Sequence, residues 1–175
     1  MQYCIHMNNK SENKTSLQRE LGFTHPLIHP AHEPTLAIVY TATLLQKSAG
    51  RLLRDHGLTD AQFNVLMLLH HQGERGRMSQ IRLGKLLLVN RSNVTGLVDR
   101  MERDRLVRRE DDPGDRRVNL VAITDKGQEV LSDAMNEYYP MLEKVMADLD
   151  SQERGKLMAL LAQVRANISG SSGKS

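Results

Sequence analysis

The chain has 175 residues, enough to bury an ordinary core, and 39% of them are hydrophobic. Trp is absent and aromatic residues are few, so aliphatic side chains and methionine must build that core, which suits packed helices better than a β-sandwich. The formal charge is only +3, one cysteine excludes an intrachain disulfide, and no run has the length and apolarity of a signal peptide or membrane span, so a cytoplasmic protein without a membrane partner is expected.

Residues 1–33 are polar, patternless and dotted with Asn, His and Pro, and read as a flexible arm. His25, His29 and His32 lie there, spaced across two prolines in a way that matches no helical face, and Cys4 reads as an exposed, incidental thiol. No metal and no other cofactor is expected. After Pro34 and Thr35, the residues Leu36, Val39, Tyr40, Thr43 and Leu44 open a helix that continues through Leu52 and Leu53 to Gly57, a residue suited to stopping it. Thr59-x-x-Gln62 is a capping-box pattern for the next helix, which has Phe63, Leu66 and Leu69 on one stripe and ends at Gln72-Gly73. His70 and His71 in its last turn suit the negative end of a helix dipole.

Ser79 caps a short helix whose apolar face is Leu83, Leu86 and Leu87, while Gly84 lets a second helix cross closely and Leu88 and Val89 fill the turn. Asn90 caps that second helix, in which Val94, Leu97, Val98 and Met101 fall at i, i+3, i+4 and i+7 and form an inward stripe. At about 100° per residue, Ser92, Gly96 and Arg103 point most nearly away from it, flanked by Asn93, Thr95, Asp99 and Arg100. Ser, Asn and Thr can meet base edges, Arg can fork onto guanine or a phosphate, and Gly admits a close backbone.

That face would equally suit a merely solvated helix, and its flanks decide between the two. Residues 106–110 and 118–123 are strand-like runs around Asp111-Asp112-Pro113-Gly114-Asp115-Arg116-Arg117, a hairpin whose tip carries adjacent arginines. Such a tip is a wing. Across residues 75–117 the surplus of Lys and Arg over Asp and Glu exceeds the +3 of the whole chain, as phosphate binding requires.

Thr124 caps a helix reaching about Leu149, apolar at Val130, Leu131, Ala134, Tyr138, Met141, Leu142 and Val145, with a kink expected at Pro140. Asp150-x-x-Glu153 is a further capping box, followed by Leu157, Leu160, Leu161, Val164 and Ile168 at helical spacing. These helices carry more apolar surface than a small lobe can cover, so together with the first helix they are expected to pair with a second copy. Residues 169–175 are Ser- and Gly-rich and read as a disordered tail.

The expected fold is mainly α. A winged helix-turn-helix lobe spans 58–123, with its recognition helix at 90–104 and its wing at 106–123. The dimerisation helices are 34–57 and 124–168. No Gly-x-Ser-x-Gly or His-Glu-x-x-His pattern occurs, so no catalytic residues are assigned and an enzyme is not expected.

The run Ser79-Gln80, Leu83-Gly84, Val94-Thr95, Leu97-Val98-Asp99-Arg100, Leu106-Val107-Arg108-Arg109, Asp112-Pro113-x-Asp115-Arg116-Arg117 and Ile123-Thr124 resembles the multiple-antibiotic-resistance regulator (MarR) family. The resemblance extends from about Pro34 to Ile168. It departs from the family at Arg82, where an acidic residue is usual, at Arg91, where proline is common, and at Arg105, which replaces the glycine that ends the recognition helix. The last asks a non-glycine residue for a conformation glycine prefers, at a cost of about 1 kcal/mol.

The resemblance implies a homodimeric, sequence-specific regulator of transcription, usually a repressor, on an inverted-repeat site in double-stranded DNA. Its DNA contacts would come from Arg91, Ser92, Asn93, Thr95, Gly96, Arg100 and Arg103 on the helix and from Asp115, Arg116 and Arg117 on the wing. It also implies a small aromatic or phenolic effector, whose binding residues no spacing rule reveals. A metal- or redox-switched regulator using the N-terminal His and Cys residues is the alternative.

Overall fold

The computed structural model describes residues 16–25, 27, 29–87, 91–112 and 119–171. The chain divides into two units, Met1–Arg51 and Leu52–Ser175.

The described part of the first unit is helical from an earlier point than its composition implies. A short helix, α1 (Ser16–Glu20), is followed by a turn at Gly22, and α2 (His32–Asp55) begins at His32 rather than after Thr35. Pro34 therefore sits in the first turn of α2, where its missing N–H leaves no helical bond unmade. His29 Nδ1 accepts from the Ala31 N–H (3.2 Å), and the Gln18 side chain donates to Glu33 Oε2 (3.2 Å). Cys4 lies outside the described residues.

In the second unit α2 ends as its sequence predicts. Gly57 has φ +69°, its N–H donates to Arg54 O (3.0 Å), and the Leu58 N–H donates to Leu53 O (2.9 Å). Leu53 and Leu58, brought together by that turn, are both buried. Thr59 then caps α3 (Asp60–Gln72) in a complete capping box with Gln62, and Phe63, Leu66 and Leu69 enter the core.

Strand β1 (Arg77–Ser79) leads into α4 (Gln80–Leu87), whose Arg82 N–H is accepted by Ser79 Oγ (3.3 Å). Leu83 is buried there, whereas Leu86, expected on the same apolar face, is exposed. Helix α5 (Arg91–Arg103) buries Val94, Leu97, Val98 and Met101. Strands β2 (Val107–Asp111) and β3 (Asn119–Ile123) form the expected hairpin, with Val107 opposite Ile123 and Asp111 opposite Asn119.

The hairpin is part of a three-stranded antiparallel sheet of order β1-β3-β2, in which Met78 faces Val121. Three residues with one apolar side chain give no two-residue periodicity, which is why β1 has no signature in the sequence. As the central strand, β3 buries Val121, Ala122 and Ile123 in succession.

Thr124 caps α6 (Asp125–Val145), its hydroxyl accepting from the Gly127 N–H (3.0 Å), and Leu131 and Ala134 complete the core. Helix α6 stops at Val145, short of Leu149, and Arg154 donates to the carbonyls of Met146 (3.0 Å) and Leu149 (2.9 Å) in the turn that follows. Asp150 and Glu153 exchange capping-box hydrogen bonds (2.8 and 2.9 Å) at the head of α7 (Ser151–Ser171). This helix carries on three residues into the expected tail, to Ser171, since extending an existing helix is far easier than starting one. Except for the half-buried Leu161, its residues from 151 to 170 are exposed.

Candidate nucleic-acid interface

Helix α5 is anchored through one side and at one end. Its buried stripe faces the core, and its C-terminal turn is tied to three other elements. Arg105 adopts φ +60°, its N–H donating to Glu102 O (3.0 Å) while the Leu106 N–H donates to Met101 O (2.9 Å), so an arginine fills the left-handed position that usually takes glycine. Beside that turn the buried Gln62 donates from Nε2 to Asp104 Oδ2 (3.1 Å) while its Oε1 accepts from the Thr59 N–H (2.9 Å). One side chain thus closes the α3 cap and holds the end of α5.

From α6, Lys126 Nζ reaches Asp104 O (2.9 Å) and Thr124 Oγ1 donates to Arg105 O (2.6 Å). Gly127 presses against the same turn, since a β-carbon there would stand 2.1 Å from Leu106 O.

Of the α5 residues expected to meet DNA, those with described side chains lie on the side away from the core. Arg91 and Ser92 are its first two residues. Asn93, Thr95, Arg100 and Arg103 are exposed, Gly96 is half-buried, and the Arg100 guanidinium lies over Gly96, 3.7 Å from where a β-carbon would stand. Asp115, Arg116 and Arg117 of the expected wing lie outside the described residues, as do Leu88, Val89 and the expected cap Asn90.

Carboxylates divide the arginines of this region into two sets. Arg77 and Arg108 both pair with Glu110 (3.4 and 2.7 Å), and Arg109 pairs with Asp99 (2.5 Å) and Glu102. Arg82, Arg100 and Arg103 are exposed, and among the described residues none of them has a carboxylate within ion-pair distance. Asp99, which the helical rotation puts beside the outward face, is engaged by the hairpin instead. Burial disfavours the charged form of Arg109, but hydrogen bonds to Asp99 and Glu102, with the charges of both, outweigh it and raise its pKa. The hydrogen bond from Arg108, joined by Arg77, holds Glu110 below its ordinary range despite partial burial. Arg108 and Glu110 are two positions apart on β2, but the pairings of Arg77 with Glu110 and of Arg109 with Asp99 and Glu102 join different elements, and no local spacing reveals those.

A cavity of about 400 Å³ opens between α3 and α4, lined by Asn64, Met67, Leu68, His71, Gln72, Leu86 and Leu87. His71 Nε2 lies 3.3 Å from the Tyr139 hydroxyl, and Tyr138 packs on Phe63 with ring centroids 4.7 Å apart. Burial raises the pKa of Tyr138, with Tyr139 and Asp60 adding to the effect. Among the described residues no group of three or more His, Cys, Asp or Glu side chains could hold a metal, and no helix is long and apolar enough to cross a membrane.

Comparison with known proteins places this geometry. A family model described as the MarR family matches residues 56–118. The chain is 30% identical over 115 residues to the HTH-type transcriptional regulator MhqR of Bacillus subtilis (strain 168), covering 66% of this chain and 77% of that one. It is 32% identical over 110 residues to the HTH-type transcriptional repressor NicR of Pseudomonas putida, covering 63% and 68%. Among solved structures, Sco3205 from Streptomyces coelicolor, crystallised in complex with DNA, superposes with a TM-score of 0.73 at 26% identity, covering 81% of this chain and 94% of that one.

Proposed function

The chain belongs to the MarR family of transcriptional regulators, and from that membership we propose that it works as a homodimer that represses transcription by gripping an inverted repeat in double-stranded DNA, one half-site to each α5. One observation carries this reading. Among the described residues, the outward face of α5 keeps Arg100 and Arg103 clear of carboxylates, while the arginines of the neighbouring strands are paired with Glu110, Asp99 and Glu102.

A helix held through its opposite face and its C-terminal turn can lie in a major groove without distorting the lobe. Ser92, Asn93 and Thr95 then address base edges, Gly96 lets the backbone approach, and Arg91, Arg100 and Arg103 hold phosphates. The family resemblance assigns Arg116 to a phosphate and Arg117, braced by Asp115, to the adjacent minor groove.

Pairing of two copies is supported by apolar side chains left uncovered in a single chain. Ile38, Val39 and Leu44 on α2, Tyr139 and Val145 on α6, and Leu157, Leu160, Val164 and Ile168 on α7 are all exposed. For the effector, a small aromatic or phenolic compound, the α3–α4 cavity offers a suitable volume and a mixed lining, apolar at Met67, Leu68, Leu86 and Leu87 and polar at Asn64, His71 and Gln72.

The test is enrichment of duplexes bound by the full chain from a randomised pool. Recovery of an inverted repeat with half-sites about one helical turn apart supports the reading. Recovery of no common sequence overturns it.

A further inference from the structure

Arg109 joins the sheet to α5 through side-chain hydrogen bonds. It sits in the middle of β2, opposite Val121, and its backbone N–H donates to Glu102 Oε1 (3.0 Å). Its guanidinium forks, with Nη2 on Asp99 Oδ1 at 2.5 Å and Nη1 on Glu102. Asp99 and Glu102 are three positions apart on α5, so one planar group grips adjacent turns of the helix.

Such an arrangement adds little to folding stability. The Arg109 side chain is 28% exposed and its partners are 54% and 40% exposed, so water screens both pairs. What the fork does fix is direction. The start of β2 is buried at Leu106 and Val107, but beyond Arg109 the strand runs outward to the exposed Asp111. The angle at which the hairpin leaves α5 is set where the guanidinium holds both.

We propose that Arg109 is a positioning residue for DNA binding, which through Asp99 and Glu102 locks the hairpin at the angle to α5 at which both reach the same half-site. The inference rests on the DNA-binding reading of α5 and goes beyond it. It assigns a function to three charged residues that touch no DNA and separates them from the exposed arginines that do. A guanidinium is required, because the compact ammonium of lysine cannot hold two carboxylates in one plane.

The sign of one effect tests this. Replacing both Asp99→Ala and Glu102→Ala removes two negative charges from a DNA-binding surface, which on charge alone tightens binding. A lost lock weakens it, by about fivefold or more if the coupling matches that of neighbouring charged residues. Arg109→Lys keeps the net charge and is expected to weaken binding in the same direction. The probe is the duplex that the wild-type chain enriches from a randomised pool. Thermal unfolding midpoints of both variants should stay within about 3 °C of wild type, the shift that roughly 1 kcal/mol gives a chain of this size. In hydroxyl-radical footprints, protection should fall at the flanks of each half-site and persist at its centre.

Weaker binding of both variants with that footprint supports the proposal. Wild-type or tighter binding by either variant, or an even loss of protection across the site, overturns it. Failure of the wild-type chain to enrich any duplex removes the DNA-binding reading itself, an outcome the variants do not share.

Discussion

Arg105 stands in a conformation that most side chains avoid, and replacing it with glycine should stabilise the protein. Its φ is +60°, in a turn closed by the Arg105 N–H on Glu102 O and the Leu106 N–H on Met101 O. A left-handed L-residue costs roughly 1–2 kcal/mol, whereas glycine gives back about 0.5–1 kcal/mol through the extra freedom it loses on folding. The side chain is exposed and has no hydrogen-bond or ion-pair partner among the described residues, so Arg105→Gly removes no contact there. The balance is a gain of about 0.5–1 kcal/mol, which for a chain of this length raises the melting midpoint by roughly 1–4 °C. Arg105→Ala keeps the left-handed backbone and should leave the midpoint unchanged. Gly57→Ala should lower it, because φ there is +69° with nothing within 4 Å of an added β-carbon, leaving the backbone as the main cost. Circular dichroism melts of the three variants are the assay. A midpoint for Arg105→Gly at or below wild type, beside an unchanged Arg105→Ala, would mean that the left-handed backbone at this position carries no strain.

Three other perturbations probe the joint and the sheet. Gly127→Ala drives a β-carbon to 2.1 Å from the backbone oxygen of Leu106, which cannot swing aside as a side chain would, and should cost about 2–3 kcal/mol in urea unfolding; wild-type stability would mean the turn is looser than the geometry implies. Gln62→Glu sets a carboxylate against Asp104, so its folded pKa rises, and the variant should fall further below wild type at pH 7 than at about pH 4, which denaturation at the two values checks. Glu110 has a depressed pKa, so its contribution is present above the ordinary carboxylate range and is lost as pH falls through its folded value, below 4.5. The stability difference between wild type and Glu110→Gln, at most about 1 kcal/mol for such exposed pairs, should therefore shrink in acid; a difference that persists there would assign it to packing.

What could be read from the residues was what repeats locally. The stripe from Val94 to Met101 follows the helical period, both capping boxes declare themselves as polar residues three positions apart, and the strained turn at Arg105 is foreshadowed by an arginine where the family resemblance implies glycine. Contacts between distant positions left no such trace. Gln62 and Asp104 are 42 residues apart, and Arg109 reaches Asp99 across the end of a helix. Helical rotation alone set Asp99 beside the outward-facing residues, because rotation gives a direction and says nothing of the strand that arrives there. Strand β1 was invisible for its brevity, and α1 because a five-residue helix in a polar arm has no apolar face to show.

Asn93 is exposed on the outward face of α5 and offers an amide that can pair with a base edge. Enriching duplexes from one randomised pool with the wild-type chain and with Asn93→Ala therefore asks most directly whether this helix reads sequence. The variant is expected to recover an inverted repeat of the same spacing with altered or relaxed preference at one position in each half-site. An unchanged consensus bound with wild-type affinity would contradict that expectation.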